Sequence, residues 1–177
     1  EAQYVLPDAD EYVIGKWGGD VGSGATVSYS FAGHNSYYFD TTFFDIHWLN
    51  SANEAASNLV DFSNDEMNVI RDGFEAWSEF SELTFQEVSE TSDGGQYSYG
   101  DIRVAKLNFD EWYNLTDEAA FEFGAFAYQP SPYWEVGGDV FMPSEYSSLE
   151  YWEFAAMHEI GHAIVFGHTH EDLAVPS

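Results

Sequence analysis

The sequence predicts an α+β domain, with a mixed twisted sheet of about five strands and two long helices packed on it. Short stretches of alternating polarity recur along the chain, which is the period of a half-buried strand. Two longer stretches carry apolar residues at spacings of three and four, the period of a helix face. Their order runs strand, helix, several strands, helix, and no internal repeat breaks it.

The elements follow in chain order. Residues 17–26 are rich in glycine and read as a turn, matching neither a phosphate loop nor a dinucleotide fingerprint. Thr26–Phe31 alternates as a strand. Residues 34–62 are aromatic and mixed, with Tyr37, Tyr38, Phe39, Phe43, Phe44 and Trp48, and take no assignment. Ser63 and Glu66 form a capping box, followed by Met67, Ile70, Phe74 and Trp77 on one face, so a helix is expected to about Phe80. Leu83–Val88 alternates, residues 91–96 read as a turn, and Asp101–Leu107 is the next strand. Gly124–Tyr128 and Asp139–Met142 are two more. Ser147 and Glu150 suggest a second capping box, opening an apolar helix through Leu149, Trp152, Phe154, Ala155 and Met157. Asn114-Leu115-Thr116 is a formal glycosylation sequon of little weight.

Composition narrows the possible partners. The 177 residues hold 32 acidic side chains against four basic ones, Lys16, Arg71, Arg103 and Lys106, for a net charge of −28. Nucleic acid is excluded as a partner because phosphate binding needs clustered Lys and Arg, and anionic membrane surfaces are disfavoured for the same reason. With 45% hydrophobic and 19% aromatic residues, the chain can build a core despite its charge. It has no cysteine, so disulfides and thiolate metal sites do not arise. No apolar run reaches the roughly 20 residues of a membrane span. The first residues lack the features of a signal peptide, which suggests a mature or trimmed chain. The acidity suits saline surroundings and equally a merely solvated acidic surface.

The chemistry sits at His158-Glu159-Ile160-Gly161-His162, on the second helix. Four helical residues rotate by about 400°, so the two imidazoles lie about 40° apart and one turn apart. Both can then reach one zinc at about 2.0–2.1 Å. Glu159 falls about 100° further round, poorly placed as a ligand and well placed to take a proton from water activated by the metal. A third ligand needs the chain to fold back after the helix. His168 is the candidate, with Gly167 offering a left-handed turn position and His170 as the fallback. His34, His47 and His170 lie in no such frame and read as surface or satisfied core histidines.

His158-Glu159-Ile160-Gly161-His162-Ala163 with His168 resembles the zinc-binding helix of the metzincin metallopeptidases, most nearly the serralysins, which are secreted bacterial endopeptidases. Upstream, Trp17-Gly18 with Tyr29-Ser30-Phe31, Leu83–Val88, Asp101–Val104, Gly124–Tyr128 and Gly138–Phe141 resemble that family's successive strands. The resemblance implies a zincin-like fold and a zinc endopeptidase that holds its metal through His158, His162 and His168 and uses Glu159 as general base. It also implies polypeptide substrates paired with an edge strand at Ala125, Phe126, Ala127 and Tyr128, and secretion from a bacterium. Calcium, bound elsewhere in the family by Gly-rich repeats, has no motif in this chain.

The sequence departs from the family in several ways. Val165 stands where the family motif has Gly, and since a β-branched residue at positive φ is costly, the turn is expected to form differently. Thr169 replaces the serralysin Pro. The sequence runs nine residues past His168 and holds no Met after Met157, so the family's Met-containing turn is missing. The expectation is therefore a single metzincin-like upper subdomain over 1–177, truncated at its C-terminus, whose cleft a further segment or a second chain completes. The alternative function is a protease-derived, non-catalytic zinc-binding or interaction domain. A third, an acidic cation-buffering protein, lacks any calcium loop to support it.

Overall fold

In the computed structural model the described residues are 17–18, 23–34, 36, 59–93, 96–108, 124–131, 136–145 and 148–166. They form strands β1 (Ala25–Ala32), β2 (Leu83–Glu87), β3 (Thr91–Asp93), β4 (Gln96–Ser98), β5 (Ile102–Leu107), β6 (Phe126–Ala127) and β7 (Val140–Pro143). The helices are α1 (Asn64–Phe80) and α2 (Leu149–Ala163). The main sheet has the order β2-β1-β5-β7-β6. Neighbours are parallel except β6, which runs antiparallel to β7 at one edge. This is the mixed five-stranded sheet with two helices that the sequence predicts.

Two local expectations fail. Residues 91–96 are not a simple turn, because β3 and β4 pair there as a separate antiparallel hairpin. Gly94 and Gly95 lie between them, and a Gly-Gly pair is a two-residue hairpin signal, so the signature was present. The second capping box is also absent. The N-cap of α2 is Ser148, with no side-chain cap bond. Glu150 then sits at the second helical position, one short of the place from which a carboxylate reaches back to the cap. The first box is real: Ser63 N–H donates to Glu66 at 2.7 Å and Glu66 N–H donates to the Ser63 hydroxyl at 3.3 Å. Of the aromatic stretch left unassigned, Leu59 bridges to Leu107 and residues 37–58 lie outside the described residues.

Burial explains the layering. Both helices pack on one sheet face, where Val27, Tyr29, Ile102, Val104, Val140 and Met142 meet Ile70, Phe74, Trp152, Ala156 and Ile160. Ala32, Ala105, Leu107, Val136 and Phe141 form a smaller cluster with Leu59 on the other face. The central strand β5 is buried along its whole length, as expected of a strand covered on both faces.

That strand also carries two of the four cations. Arg103, 2% exposed, donates through Nε and Nη2 to both oxygens of Glu90 at 2.8 Å. Lys106 Nζ donates to Glu66 Oε2 at 2.8 Å and lies over the rings of Phe62 and Trp152. On α1, Arg71 makes a two-pronged pair with Glu87. Every basic residue among the described ones is therefore matched to a glutamate. Burial pushes the Glu66 carboxyl up, but Lys106 and the Ser63 contacts outweigh it and hold the group below 4.5. The Arg71 hydrogen bond does the same for Glu87.

A bulge where β6 meets β7 places one more buried charge. Gly138 N–H donates to Tyr128 O at 3.1 Å and Tyr128 N–H to Asp139 O at 2.9 Å, so two residues face one. Gly138 has φ +93°, the left-handed first position of a glycine bulge, and a Cβ there would sit 2.7 Å from the Trp17 ring. The bulge turns Asp139 into the core, where Oδ1 accepts the Arg103 backbone N–H at 2.9 Å. Its Oδ2 is buried without a hydrogen-bond partner among the described residues. Burial pushes this carboxyl up to about 7, against the pull of Arg103 and with the push of Glu90.

A raised folded-state pKa makes the native chain hold a proton that the unfolded chain has lost. The Asp139 contribution is therefore fully present at low pH and is lost as pH rises from 3.8 to about 7. The depressed carboxyls of Glu66 and Glu87 act in the opposite sense and lose their contribution as pH falls through their lowered values. Stability is expected to peak on the acid side of neutrality, and Asp139→Asn is expected to flatten the decline between the peak and pH 7. Urea midpoints measured from pH 4 to 8 check this; an unchanged slope in the variant contradicts it.

Candidate metal centre and substrate edge

α2 presents two chemical faces. Trp152, Ala155, Ala156, Glu159, Ile160 and Ala163 are buried, forming a stripe at helical spacing turned to the sheet. His158 is exposed and His162 half-buried beside that stripe. Their Nε2 atoms converge to 3.0 Å, with the ring planes at 84°. His162 Nδ1 lies 2.6 Å from the Phe166 carbonyl oxygen. A carbonyl only accepts, so the neutral ring carries its proton on Nδ1 and keeps the Nε2 lone pair pointed at the His158 side.

Two nitrogen ligands on a tetrahedral zinc at about 2.0–2.1 Å stand about 3.3 Å apart, so the pair fits a shared zinc with little movement. The donor set is neutral imidazole, which suits that metal. Among the described residues no third His, Asp or Glu joins the two. The expected third ligand His168, its fallback His170 and the expected turn residue Gly167 lie outside the described residues, as does His47. His34 is a surface residue, and its Nδ1 meets Asp61 Oδ2 at 2.6 Å.

Glu159 is only 6% exposed and engaged with a partner. Its position one residue after His158 puts it on the sheet-facing stripe, which packs against β6 and β7.

The end of α2 is built around a strained residue. Phe166 N–H donates to Gly161 O at 2.9 Å and Val165 N–H to His162 O at 3.0 Å, the paired bonds of a Schellman turn. Val165 has φ +118°, so a β-branched residue does occupy the positive-φ position of this turn, against the expectation that its cost would exclude it. The same turn aims the Phe166 carbonyl at His162. Trp17 Nε1 donates to Ala163 O at 2.8 Å, satisfying one of the carbonyls a helix C-terminus leaves unpaired.

Trp77 of α1 completes the assembly. Its Nε1 donates to Met157 O at 2.9 Å, and its ring stacks on Phe166 with centroids 5.1 Å apart. A Cβ at Gly161 would lie 2.9 Å from that ring. The sequence shows Trp77 only as one more apolar residue on the α1 face. The available signal was Gly161 inside the metal motif, a helix-interior glycine that needs a packing reason.

The edge strand β6 is short. Phe126 stacks on Phe141 at 4.7 Å, and Tyr128 meets both rings edge-on. Burial, with the nearby Asp139 charge, pushes the Tyr128 hydroxyl up to about 12. Because Tyr128 bonds inward to the bulge, antiparallel alternation turns the backbone of Ala127 and Ala125 toward the outer edge. Among the described residues no strand pairs with that edge.

The Val165 conformation is expected to cost stability. A left-handed backbone costs an L-residue about 1–2 kcal/mol, and the Val165 side chain is 37% exposed and contributes little burial in return. Val165→Gly is expected to raise stability by about 1 kcal/mol, read as a higher denaturant midpoint at an unchanged slope. A lower midpoint would show that contacts of the Val165 side chain hold the turn.

None of the curated proteins matches the chain in sequence. Among solved structures, myroilysin overlaps with a TM-score of 0.42 at 14% identity, covering 79% of this chain and 47% of myroilysin. The chain thus spans about half of that protein's length. The family model described as matrixin, a peptidase family, matches residues 53–176, well over half of the sequence and including the whole histidine motif. By that match the chain belongs to the matrixin family of zinc metalloproteases.

Proposed function

We propose that the chain is the catalytic part of a zinc-dependent endopeptidase, with His158, His162 and His168 as metal ligands and Glu159 as general base. The observation that carries this reading is the convergence of the two Nε2 atoms at 3.0 Å, one with its tautomer fixed by a backbone carbonyl. When bound, zinc supplies Lewis acidity to a peptide carbonyl and to water. The Glu159 carboxylate takes a proton from the attacking water and returns it to the nitrogen of the leaving amine. Its burial limits competition from bulk water.

The substrate lies extended along β6. Its backbone pairs with the outward N–H and C=O of Ala127 and Ala125, while Phe126 and Tyr128 belong to the wall behind the strand. The acidic surface favours neutral or basic peptides over acidic ones. The finer likeness to the secreted serralysins rests on the histidine motif, with the upstream strand segments in support, and secretion into a saline medium accords with the charge of −28.

Metal analysis of purified protein is expected to give one zinc per chain, and His168→Ala is expected to weaken zinc binding severely. Unchanged affinity in that variant would move the third ligand to another residue. Glu159→Gln is expected to keep both fold and zinc while hydrolysis of a quenched fluorescent peptide falls by about 10²–10⁴-fold, the usual worth of a general base. Retained turnover in the Gln variant would remove Glu159 from that role.

A further inference from the structure

We propose that Trp77, on the other helix and 80 residues from Met157, the residue before the motif, is a positioning residue for the metal centre. It acts by holding the Phe166 carbonyl against His162 and so fixes which ring nitrogen of His162 faces the metal. The inference rests on the zinc reading for its consequence, but its physical content is a tautomer, which exists without metal.

The chain of contacts is short. The Trp77 indole is fastened at its Nε1 end by the Met157 carbonyl at 2.9 Å. Its six-membered ring lies in the gap that Gly161 leaves, 2.9 Å from where a Cβ would be. From that seat it stacks on Phe166, with the rings at 28° and 5.1 Å. Phe166 is otherwise an exposed residue at 54%, directly beyond a left-handed valine that costs energy to hold. Without the stack, the turn rests on two backbone hydrogen bonds working against that strain. The Phe166 carbonyl is the acceptor 2.6 Å from His162 Nδ1. Loss of its position frees the proton to move to Nε2, the nitrogen that faces His158 at 3.0 Å. An Nε2 that carries a proton cannot ligate a metal. Partners of this kind are typically worth about 10–100-fold in metal affinity, and an indole acting one step further out belongs at the lower end.

The test uses the full chain with ¹⁵N-labelled histidine, in the metal-free and zinc-loaded states. Long-range ¹H–¹⁵N spectra report the His162 tautomer, and competition with a chelating dye reports the zinc dissociation constant. The wild type is expected to hold the Nδ1–H form before zinc is added. Trp77→Leu, which lacks both the N–H bond and the stack, is expected to show a mixture of tautomers and about tenfold weaker zinc binding. Trp77→Phe, which keeps a ring for Phe166, is expected to fall between the two. Phe74→Leu serves as the comparison, since it weakens the core packing of the same helix at a residue that stacks on Tyr29 of the sheet, away from the turn. If Trp77→Leu merely lowers the melting temperature as Phe74→Leu does, leaving tautomer and affinity at wild-type values, the proposal is overturned. If the wild type binds no zinc, the metal reading fails, and the tautomer comparison in the metal-free proteins still decides the role of Trp77.

Discussion

The close approach of the two helices is the constraint on which the rest of the site depends. It is set by two glycines facing opposite ways across the contact. A Cβ at Gly73 would meet Ile160, and one at Gly161 would meet Trp77, both at 2.9 Å. Each helix therefore lends a groove to a large side chain of the other, and α2 is held at a fixed rotation about its own axis. That rotation decides the chemistry. It sends Trp152, Ala156 and Ile160 into the core, brings Glu159 to the sheet side, and leaves His158 at the surface. The indole N–H groups of Trp17 and Trp77, bonded to the Ala163 and Met157 carbonyls, oppose any roll of α2 that would change the surroundings of the carboxylate and the imidazoles.

The sheet fixes the other half of the geometry. A glycine bulge at Gly138 ends the pairing of β6 with β7 and directs the Asp139 carboxyl inward, toward the backbone of β5. The same device aligns Tyr128 so that the intervening Ala127 keeps its backbone groups for the outer edge. A single local irregularity thus sets both a buried charge and the register of the edge. Burying a carboxylate in this way is expensive unless it is paired or neutralised. Burial pushes the Asp139 carboxyl up to about 7, which favours its neutral form on the acid side of that value.

Much of this was legible in the sequence because periodicity and capping are local. The capping box at Ser63 placed α1, and alternating polarity placed β1, β2, β5 and β7 to within a residue or two. The His158–His162 pair needed only the helical period. The parts that escaped depend on contacts distant in sequence or on backbone geometry. The helical period gives only the rotation of Glu159 from His158, and only the packed structure shows that its stripe is the buried one. Val165 was expected to avoid positive φ because the local cost is real, yet the Phe166–Trp77 stack and two turn hydrogen bonds are strong enough to impose it. Trp77 itself carries no signal that separates it from the other apolar residues of α1.

The placement of the cations has a consequence for the survival of the protein among other proteases. Enzymes that cut after Lys or Arg need an exposed, extendable segment around the cleavage point. Lys16 aside, this chain offers them Arg103 and Lys106, locked in the central strand, and Arg71, in the middle of a helix and clamped to Glu87. None of these three lies in a loop that can enter a foreign active site while the fold is intact. A sequence so poor in basic residues, with Arg71, Arg103 and Lys106 held in ion pairs on regular elements, offers a large class of its neighbours few places to cut.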